Sequence, residues 1–227
     1  MSLTDRYRTT ADLPGAIPVF PLAGAILLPR GQLPLNIFEP RYLKMIDDAL
    51  RGERIIGMIQ PDGDEAIAAS QMEGKKPTLC AIGCAGRITS FAETGDGRIV
   101  ITLTGIARFR LTHELPAMTP YRQFEVTWDE FADDLTPGHG QELVSRDRLL
   151  DILKEYLDTH GLQADWRAIK LSSNETLVNS LCTISPYGPR EKQALLEART
   201  IEDRNQMLIA LTEKALHELS PSDATMQ

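Results

Sequence analysis

The sequence predicts an α+β protein, in which a β-barrel of about six strands with one short helix precedes an all-α bundle of four to five helices. Before residue 132, apolar residues alternate with polar ones or form short runs that end at proline or glycine, as is typical of short strands. After residue 140 the apolar period changes from two to about 3.6, which indicates helices. Several short strands with bends suit a small closed barrel. We therefore expect a flexible N-terminus at 1–15, a barrel at 16–132, a linker (DDLTPGHG) at 133–140, a helical bundle at 141–220 and a disordered tail at 221–227.

The first predicted strands, Ile17–Phe20 and Leu33–Phe38, lie in a segment that is rich in proline. Because proline fixes φ and supplies no N–H, this composition confines the segment to short strands and turns. Pro40 suits the first turn of a helix, where its missing N–H costs nothing. The apolar residues that follow recur at helical spacing and predict a short helix over Arg41–Leu50.

The connection Ala23–Gly31, with the sequence AGAILLPRG, is unusually apolar for a turn. Its residues Ile26, Leu27 and Leu28 either form a buried strand or make an exposed apolar patch, which would mark a contact site. Both interpretations stay open at this point, and the second makes these three residues candidate binding residues.

The remaining barrel strands follow from alternation and turn residues. RIIGMIQ at 54–60 predicts a strand, and the polar segment Asp62–Pro77 predicts a long surface loop with one helical turn. Leu79–Phe91 and Arg98–Leu111 are joined by TGDG, a strong turn sequence, and form the clearest hairpin of the chain. Tyr121–Phe131 alternates apolar and polar residues and predicts a further strand.

The bundle is predicted from apolar stripes at helical spacing. Ser173 or Asn174 and the run Thr200–Asp203 have the residue types that cap helix N-termini. The expected helices run from about Leu143 to His160, and over Asp165–Leu171, Glu175–Ile184, Arg190–Arg199 and Ile201–Leu219.

Composition and charge restrict the class of protein. Of 227 residues, 42% are hydrophobic and 25% are charged, as in ordinary globular proteins. Three cysteines do not make a secreted disulfide scaffold, the first residues do not resemble a signal peptide, and no stretch reaches about 20 apolar residues. We therefore expect a cytoplasmic protein without a membrane partner.

The net charge of −8 is unevenly distributed. Residues 1–120 hold 13 Lys and Arg and 13 Asp and Glu, whereas residues 121–227 hold 11 and 19. Binding to a phosphate backbone needs clustered Lys and Arg. The charge therefore disfavours nucleic acid as a partner, although it leaves room for a local basic patch.

The polar candidates near the first helix are Glu39 and Arg41, beside Phe38 and Tyr42. They could contact a charged ligand. Alternatively, Glu39 is a carboxylate favoured by the helix dipole and paired with Arg41, while the aromatic residues, with Phe20 and Ile37, belong to the core.

Arginines on the predicted hairpin are a second set of candidates. Arg87 and Arg108, with Arg110 beside them, could bind an acidic or nucleic-acid ligand. Alternation along a strand places exposed arginines on a sheet in any case, so these residues could equally be solvated.

The residues favour no metal, cofactor or catalytic group. Cys80 and Cys84, if extended, lie about 13 Å apart, too far for one zinc ion. The four histidines are scattered without a metal-binding spacing. The segment around Lys75 lacks the glycine and hydroxyl residues of a phosphate-binding loop.

Several strings resemble the N-terminal domain of the ATP-dependent protease Lon. They are PVFPL, LLPRGQLPLNIFEPRYLKMIDDAL, GCAGRI at 83–88, GIARFRL at 105–111 and REKQALLEARTIEDRNQMLIALTEKAL at 190–216. In the first two strings the matching residues are Phe20, Pro21, Leu22, Pro29, Pro34, Leu35, Ile37, Phe38, Glu39, Arg41 and Tyr42.

The resemblance implies a PUA-like pseudo-barrel followed by a helical bundle, which in Lon helps to capture substrate proteins. The chain shows neither the phosphate-binding loop of the Lon ATPase nor a serine–lysine peptidase module, so we expect a stand-alone, non-enzymatic module. Its expected partners are unfolded polypeptide segments or a protein, and an adaptor role follows by analogy. The alternative is binding of nucleic acid or a small ligand, because PUA-like barrels elsewhere bind RNA; an enzyme of unrecognised class is a third hypothesis.

Overall fold

A computed structural model of the chain describes residues 4, 6–70, 72 and 75–219, with the side chain of residue 219 left out. The predicted disordered tail at 221–227 lies outside these residues, as do positions 71, 73 and 74 of the predicted surface loop.

In the described part of the chain, all six strands precede the helical bundle, as predicted. The strands are β1 (Ala16–Pro21), β2 (Gln32–Ile37), β3 (Ile55–Ile59), β4 (Ile82–Glu93), β5 (Ile99–Glu114) and β6 (Gln123–Thr127). The α-helices are α1 (Pro40–Arg51), α2 (Asp64–Ser70), α3 (Arg146–Thr159), α4 (Trp166–Leu171), α5 (Asn174–Ile184), α6 (Pro189–Glu197) and α7 (Ile201–Leu219).

The strands form one sheet that closes on itself. Its order is β2-β5-β4-β3-β1-β6, and a further pairing between β5 and β6 joins the two ends of a five-stranded ring. β5 is long enough to pair with β2 along its first half and with β6 along its second half. β1 and β3 run parallel, and the other neighbours run antiparallel. The predicted barrel of about six strands with a short helix is confirmed.

The sheet departs from the prediction at its last strand. β6 ends at Thr127, and the chain turns into a 3-10 helix, Asp129–Leu135, instead of continuing as a strand to Phe131. This helix also occupies the first residues of the expected linker, where Asp134 is buried.

The N-terminus is anchored on the barrel. Tyr7 and Leu13 are buried at the two sides of a short 3-10 helix, Thr10–Asp12, and both belong to the core cluster inside the barrel. These two side chains thus pack in the core, within the segment at 1–15 for which the sequence predicted flexibility.

Two apolar cores hold the molecule together. One fills the barrel around Phe109, Val19 and Trp128. The other is a continuous cluster between the barrel and the helices, in which Leu28 and Leu195 are both buried. The helical part therefore shares its core with the outer face of the barrel.

The bundle helices begin where capping residues predict. The Ser173 hydroxyl accepts a hydrogen bond from the Thr176 N–H at 3.1 Å. Thr200 and Asp203 cap each other's backbone N–H groups at 3.0 and 3.2 Å, which completes the predicted capping box of α7. Among the described residues, no helix is both long enough and apolar enough to cross a membrane.

Candidate functional site

A cleft of about 690 Å³ lies beside the first turn of α1. Arg41 and Tyr42, two predicted site residues, lie on its wall. The other lining residues are Val19, Pro21, Ser70, Lys75, Lys76, Pro77, His113, Glu114, Leu115, Pro116, Ala117, Thr119, Pro120, Tyr121 and Arg122. The cleft thus lies where the ends of β1 and β5, the loop after α2 and the loop before β6 meet.

The Arg41 side chain joins two of the predicted residues. Its Nε donates to the Glu39 carboxylate at 2.8 Å, and its Cζ atom lies 4.5 Å from the centre of the Tyr42 ring. Tyr42 is buried and packs on Phe20, with 4.3 Å between ring centres. Burial raises the pKa of Tyr42, so its phenol stays neutral at pH 7. The expected Glu39–Arg41 pair is confirmed, and Arg41 also faces the cleft.

The cleft lining also contains residues that sequence reasoning missed. The Arg122 guanidinium donates to both oxygens of Glu114, at 3.1 and 2.8 Å, and to the Pro77 carbonyl at 2.7 Å. Tyr121 donates to Asp48 at 2.9 Å, and burial together with this carboxylate raises the pKa of Tyr121 to about 12. The sequence signal for a basic lining is the adjacent pair of Lys75 and Lys76.

A second depression, of about 300 Å³, lies in the helical part. We call it the apolar groove; it is lined by Leu149, Ile152, Leu153, Tyr156, Leu157, Leu162, Leu181, Ile184, Ser185, Pro186, Tyr187, Leu208 and Thr212. None of these lining residues is charged. Leu149 and Leu208 are buried, whereas Leu162 and Ile184 are 53% and 74% exposed.

Three predicted binding residues are part of the core instead. Ile26, Leu27 and Leu28 have at most 1% of their surface exposed. They lie in an irregular segment between β1 and β2, and it is their position between the barrel and the helices that buries them. The interpretation of an exposed apolar patch is therefore wrong, and the expected strand is also absent at these three residues.

Phe38 is exposed, although one interpretation of the sequence placed it in the core. Its ring is 62% exposed, with the Arg98 Cζ atom 6.0 Å from the ring centre. The core interpretation holds for Phe20, Ile37 and Tyr42, but it is wrong for Phe38. Neither Phe38 nor Glu39 is among the described residues that line the cleft.

The two arginines of the hairpin have structural partners. Arg87 donates to the Tyr7 hydroxyl and to the Glu53 carbonyl, both at 3.0 Å. Arg108 is 4% exposed and pairs with Asp134 through two nitrogens, at 2.8 and 2.9 Å. An exposed ligand contact is therefore wrong for Arg108, because its guanidinium is enclosed at the junction of the barrel and the helices.

The cysteines are free thiols. Cys84 and Cys182 are buried, and Cys80 is half-buried with a pKa raised to about 11, mainly by desolvation. At pH 7 the Cys80 thiol is therefore protonated. No group of three or more potential metal ligands was found among the described residues.

A comparison with protein families matches residues 16–214 to the substrate-binding domain of the ATP-dependent protease La (Lon). The chain belongs to this family. The matched range contains the barrel strands, the cleft, the apolar groove and the α-helices α1 to α7 except the end of α7.

Curated relatives of the Lon family include bacterial Lon proteases. The chain is 23% identical over 198 residues to Lon protease of Flavobacterium johnsoniae, and 29% identical over 133 residues to Lon protease of Desulfosudis oleivorans. The matches cover 85% and 57% of this chain but only 23% and 16% of those proteins. The chain thus spans at most about a quarter of the length of these relatives.

Solved structures of the Lon N-terminal domain have the same fold. A Lon N-terminal domain protein from Xanthomonas campestris is 26% identical, with a TM-score of 0.57 over 86% of this chain and 97% of that one. The N-terminal domain of a Mycobacterium avium complex Lon protease is 17% identical, with a TM-score of 0.62 over 87% and 98%. Membership of this family supports a substrate-recognition module.

Proposed function

We propose that this Lon-family chain binds segments of unfolded polypeptide, and that the apolar groove receives their apolar side chains. The observation that carries the proposal is the groove itself, whose described lining residues are uncharged and partly exposed, on a domain of a substrate-binding family. A binding role without catalysis is part of the proposal.

The physical basis is the exposure of two lining residues of the groove, Leu162 and Ile184, which form its exposed rim. Unfolded segments carry apolar side chains that folded proteins bury, so they can cover this rim. Burial of one such side chain contributes about 1.5–3 kcal/mol. Because association costs about 4 kcal/mol or more, capture needs several such contacts. The Tyr187 hydroxyl is already bonded to Thr212 at 2.8 Å and adds no unpaired polar group.

An adaptor role is the finer form of the proposal. In that role the chain would hold a segment and present it to a protease. The likeness to one part of longer Lon proteases supports it by analogy, since the chain matches only that part of those relatives.

The test measures binding of a fluorescently labelled, permanently unfolded casein by anisotropy. We expect Ile184→Asp to weaken binding by about tenfold, because a charge at the rim loses an apolar contact of about 1.4 kcal/mol or more. Leu162→Asp should behave in the same way. The matched control is Leu171→Asp, which places the same charge at an 80% exposed leucine outside the groove.

Circular dichroism of each variant verifies its fold. If Leu171→Asp and Ile184→Asp weaken casein binding equally, the added charge causes the effect and the groove does not. If the wild-type chain binds no unfolded polypeptide, the proposal is overturned.

A further inference from the structure

The cleft beside α1 differs in charge from the protein as a whole. Among the described residues that line it, four are Lys or Arg and one, Glu114, carries a carboxylate. The chain itself has a net charge of −8. A positive cleft in an acidic protein concentrates field lines inside the opening and attracts negative groups there.

The cations come from three segments of the chain. Arg41 lies at the start of α1, and Arg122 lies in the loop before β6. Lys75 and Lys76 stand on the loop after α2, with the Lys76 side chain 74% exposed and 3.6 Å from Glu114. Arg41, Arg122 and Lys76 are thus already held against carboxylates, which shows the type of group that their geometry accepts.

The uncharged part of the lining suits an extended chain. The lining includes Pro21, Pro77, Pro116 and Pro120, which have no N–H groups, together with the buried residues Tyr42 and Tyr121. Aromatic-lined grooves bind extended peptide segments of the polyproline II type, whose backbone makes no internal hydrogen bonds and stays solvated.

We propose that this cleft binds an extended, acidic segment of a polypeptide, with Asp or Glu side chains of the ligand paired to Arg41, Lys75, Lys76 and Arg122. The proposal rests on the proposed function and adds the class of segment that the barrel recognises. An acidic peptide fits better than nucleic acid, because the remaining acidic surface repels a long polyphosphate while one short segment can lie within the cleft.

The experiment uses the full chain and two labelled peptides of equal length, one with Asp and Glu spaced by Gly and Ser, the other with Asn and Gln at the same positions. We expect the acidic peptide to bind at least about tenfold more tightly, and its affinity to fall with added salt. Lys75→Glu with Lys76→Glu should weaken acidic-peptide binding by about tenfold.

The matched control reverses two other exposed cations, Arg167→Glu with Lys170→Glu on α4. It changes the net charge by the same amount but leaves the cleft intact, so it should retain nearly full binding. Both double variants alter exposed side chains, and thermal melting verifies that they remain folded.

Each outcome bears on the proposal. Equal binding of both peptides, or equal loss in both double variants, would overturn it. The proposal would also be overturned, in favour of nucleic acid, by a single-stranded RNA that binds the wild-type chain more tightly than the acidic peptide does. The binding of that RNA would have to be lost in the variant with Lys75→Glu and Lys76→Glu. Casein binding distinguishes this proposal from the proposed function. If the chain binds casein through the apolar groove but does not bind the acidic peptide, only the proposed role of the cleft is refuted. Ile184→Asp should leave acidic-peptide binding unchanged.

Discussion

At the scale of single residues, neighbouring arginines of β5 have different roles. Arg108 is buried, pairs with Asp134, and donates further hydrogen bonds to the carbonyls of Leu196 and Ala198 at 3.1 and 2.5 Å. Arg110, two positions later, pairs with Glu130 at the surface, where both side chains are more than 40% exposed. The sequence shows no difference between the two arginines, because alternation along a strand puts both on the same face.

We predict that Arg108→Ala destabilises the protein by about 3–5 kcal/mol, because it leaves Asp134 as a buried carboxylate without its partner. The measurement is the free energy of unfolding in urea. Arg110→Ala is the matched control and should cost less than about 1 kcal/mol. Similar values for the two variants would contradict the buried role of Arg108.

Tyr121 gives a prediction for alkaline pH. Its pKa is raised from 10.0 to about 12, first by burial and then by the Asp48 carboxylate, so the folded state holds its proton more strongly than the unfolded state. Stability from this group is present below pH 10 and is lost as pH rises from 10 to about 12. We expect Tyr121→Phe to remove part of the fall in stability over this window, measured by urea unfolding at several pH values. If stability falls equally with pH in the wild-type protein and in Tyr121→Phe, the raised pKa of Tyr121 is contradicted.

At the scale of elements, the segment Ala23–Gly31 is held against β5 at Gly105. The Arg30 N–H donates to the Gly105 carbonyl at 2.9 Å, and the Gly105 N–H donates to the Gly31 carbonyl at 2.8 Å. A Cβ atom at Gly105 would lie 2.0 Å from the Leu28 carbonyl oxygen. The glycine is therefore required by close backbone approach, which also explains why Leu28 is buried.

We predict that Gly105→Ala destabilises the protein by about 3 kcal/mol, because the backbone of one segment must move. Gly95→Ala is the control, since nothing lies within 4 Å of a Cβ atom at that turn residue, and it should change stability by less than about 1 kcal/mol. Thermal or urea unfolding of the two variants decides the point. A mild effect at Gly105 would mean that the segment is loosely packed.

At the scale of the whole molecule, the barrel and the helices share contacts that favour joint unfolding. Besides Arg108, the Gln60 side chain donates to the Pro189 carbonyl at 3.0 Å, and Asn179 donates to the Pro29 carbonyl at 3.2 Å. The shared apolar cluster adds buried surface across the same junction. Removal of either part would leave this surface exposed to water.

We therefore predict one cooperative unfolding transition. The chain has two tryptophans, Trp128 in the barrel core and Trp166 on α4, so Trp128→Phe and Trp166→Phe each leave one reporter. Fluorescence of each variant should follow the loss of helical circular dichroism in urea. If the fluorescence midpoint of each variant differs from its circular dichroism midpoint, the barrel and the helices unfold separately.

The sequence alone determined the order and type of most elements. Strand alternation, the TGDG turn and the helix caps act between residues that are close along the chain, so β3, the β4–β5 hairpin, α1 and the bundle helices lie near their predicted bounds. The motifs also carried the resemblance to the Lon N-terminal domain, which the family match confirms.

The tertiary structure decided which side chains are buried and which meet in a site. Leu28 and Arg108 entered the core and Phe38 stayed exposed because residues far along the chain do or do not cover them. Arg41 and Arg122 are 81 positions apart in the sequence and meet in one cleft only because the barrel closes. Burial and the clustering of charges depend on such long-range contacts, which local periodicity in the sequence does not predict.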